Sequence, residues 1–125
     1  MKITAVVPVF NEEKTLINVL DVINKAELIN EIIVVDDASS DNSRKKINSI
    51  KSNKLTIISL KKNLGKSDAV KVAVKSTKTD ILFFCDADLI NLREEHINQI
   101  LRPLTDGIVL MSVGLRDYGL IINFF

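Results

Sequence analysis

The feature that most constrains the fold is an apolar stretch, residues 81–85, which ends abruptly in Asp86, Ala87 and Asp88. Five consecutive apolar residues bounded by polar ones predict a strand buried on both faces, as in a parallel sheet. The carboxyl end of such a strand is where an open α/β sheet binds ligands. Both carboxylates can reach one Mg²⁺ or Mn²⁺ there, because these hard cations prefer oxygen ligands. Taken alone, however, the tripeptide is more typical of a solvated turn that caps a following helix.

Strand and helix patterns alternate along the rest of the chain. Between the apolar runs, apolar residues recur at helical spacing; the first helix is predicted to follow an N-cap at Asn11 and the last to end at Pro103. Because the strand runs are continuously apolar, they favour a Rossmann-like, mostly parallel sheet with helices on both faces, an α/β fold. The other predicted strands are residues 3–7, 32–35, 55–60 and 107–113.

Composition narrows the class of protein. With 125 residues and 46% hydrophobic content, the chain is expected to form one globular domain. Its formal net charge of +1 provides no basic surface that would favour nucleic acid as a partner. The single cysteine, Cys85, excludes an intrachain disulfide, fits a reducing cytoplasm and is expected to pack in the core. No apolar run approaches the roughly 20 residues that span a bilayer, so no transmembrane helix is expected.

The polar residues that follow the first four strands are expected to converge. In a parallel sheet these loops emerge at the same edge. They bring together an aromatic ring, acceptors for a base or ribose, a lysine suited to a phosphate and a carboxylate pair suited to a metal. This combination predicts a site for a nucleoside diphosphate. The residues concerned are Phe10, Glu12, Asp36, Asp37, Lys66, Asp86 and Asp88.

Four segments, residues 6–13, 33–41, 63–70 and 80–89, resemble the family 2 glycosyltransferases in order and spacing. The resemblance covers residues from about 3 to about 101, and it is greatest to enzymes of the dolichyl-phosphate mannosyltransferase and glucosyl-phosphoglycerate synthase type. It implies a GT-A fold, an α/β fold that binds nucleotide-diphosphate sugars. It also implies an inverting transfer of a sugar from such a donor, with a lipid phosphate at the inner face of a membrane as one acceptor.

The resemblance also assigns roles to individual residues. Asp37 would contact the base and Lys66 would lie beside the donor. Asp86 and Asp88 match the Asp-x-Asp motif, which binds the donor diphosphate through a divalent cation, Mg²⁺ or Mn²⁺. The residues implied in donor binding are Pro8, Phe10, Glu12, Asp37, Lys66 and Asp86.

Two departures from the family pattern bear on the reaction. Ile90 stands where some relatives have a further metal-side glutamine. The general base of inverting members comes from the second half of their domain, and neither Asp106 nor Asp117 matches its motif. The base is therefore expected beyond residue 125. Residues 1–125 are accordingly interpreted as the nucleotide-sugar-binding, N-terminal half of one glycosyltransferase domain, without its acceptor half and ending in an exposed apolar segment, residues 120–125.

Alternatives remain open for single residues and for the whole chain. Phe10 could pack on the first helix, Lys66 could be a solvated surface lysine, and Asp36 is expected to be structural. The chain could be a non-catalytic nucleotide-sugar-binding module. A nucleotidyltransferase is less favoured because the first loop lacks glycine and arginine. A receiver-like signalling domain is disfavoured because the acidic pair Asp36 and Asp37 follows the second strand instead of the first.

Overall fold

A computed structural model of the chain describes residues 1–115 and 120–124. Strands and helices alternate, as the sequence predicts, through most of the described chain. The elements, in chain order, are β1 (Ile3–Val9), α1 (Leu16–Lys25), β2 (Glu31–Asp36), α2 (Ser43–Asn48), β3 (Leu55–Ser59), α3 (Lys66–Lys75), β4 (Ile81–Phe84), α4 (Glu94–Thr105), β5 (Met111–Leu115) and β6 (Leu120–Phe124).

The first four strands form one parallel sheet in the order β3-β2-β1-β4. In this sheet β1 is central, with Val6 aligned to Ile33 of β2 on one side and to Phe84 of β4 on the other. Parallel strands need crossover connections, which the intervening helices provide. The α/β class predicted from the continuous apolar runs is confirmed.

Alternate residues of β1 supply two hydrophobic cores, one on each face of the sheet. Ala5 and Val7 belong to the larger core, which α1, α2 and α4 cover. Val6 belongs to the smaller core, where Ala69 and Ala73 of α3 pack closely. Burial on both faces explains why β1 is apolar at nearly every position.

The prediction that residues 81–85 are buried on both faces is wrong at Phe84, which is 56% exposed. Within the described residues β4 pairs with β1 alone and therefore forms an edge of the sheet. On this face α3 packs mainly on β1 and β2. Phe83, on the opposite face, is buried in the larger core.

The prediction that Pro103 ends the last helix is also wrong, because α4 continues to Thr105. Proline lacks only its own N–H, and near the end of a helix this removes one hydrogen bond. The carbonyl of Pro103 still accepts from the backbone N–H of Ile108 at 2.9 Å. Residues 107–109 all donate to carbonyls of the last turn of α4, so the strand predicted from residue 107 begins only at Met111.

Beyond α4, β5 does not extend the parallel sheet. It pairs antiparallel with β6 as a separate two-stranded sheet. Asp117 and Phe125, which the sequence analysis considered, lie outside the described residues. Within the described part of the chain, no helix has the length and apolar character required to cross a membrane.

Candidate functional site

The carboxyl edge of the parallel sheet carries a cavity of about 250 Å³. All four loops that follow β1 to β4 contribute to its wall, so the predicted convergence of these loops is present in the structure. Every residue that the sequence assigned to donor or metal binding lines this cavity. The lining residues are Pro8, Val9, Phe10, Glu12, Asp37, Asn63, Gly65, Lys66, Asp86, Ala87 and Asp88.

The first wall is the loop after β1. Phe10 lies at this wall and is 41% exposed, so a large part of its ring is open to solvent. Asn11 does not cap α1, because that helix begins only at Leu16. Asn11 instead adopts a left-handed backbone conformation with a φ of 53°. Asparagine tolerates that conformation better than most residues, which suits it to this turn.

Hydrogen bonds clamp the loop after β1 to the loop after β2. The side-chain oxygen of Asn11 accepts from the backbone N–H groups of Ser40 at 2.8 Å and Asp41 at 3.2 Å. In return, the backbone N–H of Glu12 donates to the hydroxyl of Ser43 at 2.9 Å. These bonds hold Glu12 beside the cavity, and no local sequence pattern predicts them.

The acidic pair after β2 has two distinct structural roles. Asp36 is fully buried and accepts from the backbone N–H of Ser39 at 3.1 Å and from Nε of Arg44 at 2.6 Å. It is therefore structural, as expected. Asp37 is 2% exposed, and its two oxygens accept from the backbone N–H groups of Leu64 at 2.7 Å and Gly65 at 3.0 Å.

Asp37 thus holds the glycine loop that precedes α3. Gly65 lies in this loop with a φ of 91°, a conformation that side chains rarely allow. The side-chain amide of Asn63 also donates to the backbone carbonyl of Asp37 at 3.2 Å. Asn63 lines the cavity and was not singled out from the sequence; its position two residues before the glycine was the available signal. The predicted contact of Asp37 with a base stays a prediction.

The carboxylates of the cavity influence one another. The pKa of Glu12 is raised above its usual value of 4.5, first by burial and then by the negative charges of Asp88, Asp41 and Asp86. One oxygen of Asp88, Oδ1, is screened from solvent. A negative potential concentrated in a partly enclosed site favours a cation.

These residues fit a hard divalent cation in their chemistry. Carboxylate oxygens are the ligands that Mg²⁺ and Mn²⁺ prefer. Asp86 already binds a cation in this structure, the ammonium group of Lys66. Among residues 1–115 and 120–124, however, no group of three or more His, Cys, Asp or Glu side chains is arranged to hold a metal ion. A cation here would thus need further ligands from a bound anion or from water.

Cys85 immediately precedes these carboxylates and belongs to the core. It is 5% exposed and packs in the larger hydrophobic cluster, as the sequence predicted. Burial, together with the charges of Asp86 and Asp88, raises the pKa of its thiol to about 12. A thiol with so high a pKa is a poor nucleophile at neutral pH, so Cys85 contributes packing.

Fold and site together define a class of protein: the parallel sheet, with a carboxylate-bearing cavity at its carboxyl edge, has the fold of the GT-A glycosyltransferases. A sequence model of glycosyl transferase family 2 matches residues 4–122. The chain belongs to that family, as its four motifs predicted.

Several known proteins are similar to this chain. Over 123 residues it is 37% identical to the undecaprenyl-phosphate 4-deoxy-4-formamido-L-arabinose transferase of Proteus mirabilis, covering 93% of this chain and 37% of that protein. Glucosyl-3-phosphoglycerate synthase from Mycobacterium tuberculosis, solved with Mn²⁺, UDP-glucose and phosphoglyceric acid, matches with a TM-score of 0.73 and 29% identity over 85% of this chain and 40% of that chain.

A second similar structure, residues 1–349 of TarS from S. aureus, shows the fold alone, at 24% identity and a TM-score of 0.72 over 85% of this chain and 33% of that one. The chain therefore spans about two fifths or less of the length of these three relatives.

Proposed function

We propose that this chain forms the donor site of a metal-dependent, inverting glycosyltransferase that takes a sugar from a nucleotide-diphosphate sugar. The observation that carries the proposal is the single cavity onto which all the predicted donor and metal residues converge. A second support is the similar Mycobacterium tuberculosis synthase, which was solved with Mn²⁺ and UDP-glucose. The predicted chemistry and the ligands of that relative agree.

Each wall of the cavity has a proposed role. Pro8, Phe10 and Glu12 would line the nucleoside pocket, with Asp37 beside the base. The cavity is smaller than the roughly 300–1,000 Å³ usual for small-molecule sites, so it would enclose part of a nucleotide and leave the rest outside.

The diphosphate would lie between Lys66 and the carboxylates of Asp86 and Asp88. Lys66 is the first residue of α3, where the positive end of the helix dipole also favours phosphate. Asp86 and Asp88 would hold Mg²⁺ or Mn²⁺. When bound, this cation neutralises charge on the departing nucleoside diphosphate.

The acceptor side of the reaction is also a matter of proposal. With a hydroxyl acceptor, inversion needs a general base that deprotonates it, and no described residue of this chain is assigned that role. We place the base and the acceptor site in the part of the longer relatives that this chain does not match, and residues 1–125 in the donor-binding part of the domain. A lipid phosphate at the cytoplasmic face of a membrane is a second proposed acceptor, since the Proteus mirabilis relative is named for undecaprenyl phosphate. Its phosphate oxygen is already ionised near neutral pH and would attack without a general base.

Calorimetric titration of the 125-residue chain with UDP, with and without Mn²⁺, tests the proposal. We expect Mn²⁺ to strengthen UDP binding by about tenfold or more, because the cation bridges diphosphate and carboxylates. Asp88→Ala should abolish this gain. Asp21→Ala, at an exposed position on α1 outside the cavity, is the matched control and should retain it.

Three results would each contradict part of the proposal. An affinity for UDP that Mn²⁺ does not change would rule out a metal-dependent donor site. An Asp88→Ala chain with the full gain would place the metal elsewhere. Sugar transfer from UDP-glucose at an enzymatic rate by residues 1–125 would refute the assignment of the general base to another part of the domain.

A further inference from the structure

Thr15 occupies an unexpected position at the start of α1. It is the N-cap residue of this helix, yet its side chain makes no capping hydrogen bond. Its hydroxyl donates instead to the backbone carbonyl of Ala87 at 2.7 Å, across 72 residues of sequence. Threonine at an N-cap ordinarily accepts a hydrogen bond from the first turn of its own helix, which contributes about 1 kcal/mol to stability. Here the hydroxyl binds another loop.

Ala87 is the residue between the two proposed metal ligands, Asp86 and Asp88. The backbone pairing of β4 with β1 ends just before it, with the N–H of Cys85 donating to the carbonyl of Val6 at 3.1 Å. The Asp-x-Asp turn thus lies beyond the hydrogen-bonded ladder of the sheet. A bond to the central carbonyl of this turn restrains the peptide groups that precede and follow it, and with them the directions of both carboxylates.

The other end of this bond is rigidly held. The backbone N–H groups of Thr15 and Leu16 both donate to the carbonyl of Glu12, at 3.2 and 3.0 Å. Leu16 is fully buried in the larger core and anchors the first turn of α1. Thr15 therefore links the loop that carries Glu12 with the turn that carries Asp86 and Asp88.

We propose that Thr15 is a positioning residue for the divalent cation: its hydroxyl orients the Asp86-Ala87-Asp88 turn so that both carboxylates face one ion. This inference rests on the proposed function. Geometry matters at such a site because Mg²⁺ and Mn²⁺ require nearly fixed ligand directions, and a turn that rotates freely offers its two carboxylates together less often. Thr15 would touch neither donor nor cation and would act through the carbonyl of Ala87.

The test compares two substitutions at one position. Thr15→Val keeps the shape of the side chain but removes the hydroxyl, whereas Thr15→Ser keeps the hydroxyl. The readout is the affinity for Mn²⁺ with UDP present, measured by the electron paramagnetic resonance signal of free Mn²⁺. Calorimetry gives the affinity for UDP without metal. Thr79→Val is the matched control, because it removes a threonine-to-carbonyl hydrogen bond, to Lys2 at 2.9 Å, near the opposite end of β4.

We expect Thr15→Val to weaken Mn²⁺ binding by about three- to tenfold, the effect of one hydrogen bond. Thr15→Ser and Thr79→Val should stay within about twofold of the parent chain, and metal-free UDP binding should be unchanged in all three. A merely structural role predicts equal losses with and without metal, and that result would overturn the inference. So would a serine variant as weak as the valine variant, or a valine variant that binds Mn²⁺ normally.

Two further arms keep the test decisive. Should Thr15→Val not fold, Thr15→Ala takes its place with the same expectations, since the buried leucine that follows it still anchors the helix. Should the parent chain itself not bind Mn²⁺ with UDP, the proposed function fails. A parent that binds while Thr15→Val and Thr15→Ser behave alike overturns only the role of Thr15.

Discussion

The ammonium group of Lys66 forms an ion pair with Oδ1 of Asp86, joining the first residue of α3 to the turn after β4. Both groups are accessible to solvent, with 65% of the Lys66 side chain and 38% of the Asp86 side chain exposed. An exposed pair of this kind contributes little to stability, at most about 1 kcal/mol. The position of this ion pair matters, because the ammonium group of Lys66 occupies a carboxylate that we propose to bind the divalent cation.

The first prediction follows from this competition between Lys66 and the cation. Lys66→Met should strengthen the binding of Mn²⁺ alone by up to about fivefold, because the competing charge is gone. The same substitution should weaken UDP binding in the presence of Mn²⁺, because the diphosphate loses a cationic partner. Electron paramagnetic resonance and calorimetry measure the two affinities.

Lys71→Met provides the control for this prediction. Lys71 is also on α3 and also lies near an exposed aspartate, Asp68, at 3.7 Å. It should change both affinities far less, since it lies outside the described cavity. For Lys66→Met, changes of the same sign in both affinities would contradict the prediction that Lys66 leaves Asp86 and pairs with the diphosphate when the donor and the cation bind.

The second prediction concerns Asp37 and the glycine loop. Asp37→Ala leaves the backbone N–H groups of Leu64 and Gly65 without their acceptor and should lower the free energy of unfolding by about 1–3 kcal/mol. Asp37→Asn keeps one acceptor oxygen and should cost less. Urea unfolding measures both, with Asp21→Ala expected to cost less than about 0.5 kcal/mol. Equal stabilities for Asp37→Ala and Asp21→Ala would show that these bonds do not hold the loop.

The third prediction is a pH dependence that arises from Glu12. Since its pKa is raised in the folded state, the folded protein binds a proton more tightly than the unfolded chain does. Stability contributed by the protonated form is therefore present below the usual value of 4.5 and is lost as the pH rises through the raised value.

Glu12→Gln carries no charge, so it should melt roughly 1–3 °C above the parent chain near neutral pH. The difference should vanish well below the usual pKa of a glutamate, where both chains are neutral at this position. Thermal melting curves recorded from neutral pH to well below the usual pKa of a glutamate measure the effect. Glu27→Gln, at an exposed position, is the control. A stabilisation by Glu12→Gln that is the same at every pH would exclude its charge as the cause.

The fourth prediction uses the single cysteine as a reporter of local unfolding at the end of β4. Cys85 is buried and its thiol has a pKa of about 12, so iodoacetamide should not label the folded chain at mildly alkaline pH. Labelling in guanidinium chloride should be complete and serves as the control. Mass spectrometry measures both. Rapid labelling without denaturant would mean that the end of β4 opens readily, which would also loosen the neighbouring carboxylates.

Sequence patterns predict structural features that depend on nearby residues of the chain better than features that depend on distant ones. Continuous apolar runs and helical spacing are local signals of burial on two faces or on one, and they predicted β1, β2, β3 and the α/β class. The same signals failed at Phe84, where exposure depends on which neighbouring elements cover the strand. They failed again at Asn11, whose side chain bonds to the loop after β2 instead of capping α1, and at Pro103, whose carbonyl accepts a hydrogen bond from the N–H of Ile108. The local sequence pattern reveals neither partner.

The convergence of these residues on one cavity was also within reach of the sequence, because parallel strands deliver their following loops to one edge. The sequence by itself therefore determined the α/β class and most of the polar residues of the cavity, although not Asn63. Only the tertiary structure decided the partners: Asp37 holds the glycine loop, Lys66 pairs with Asp86, and Thr15 binds Ala87. These partners are 20 to 72 residues apart along the chain. Hydrogen bonds require a fit within a few tenths of an ångström, and the packing of helices on the sheet sets that distance.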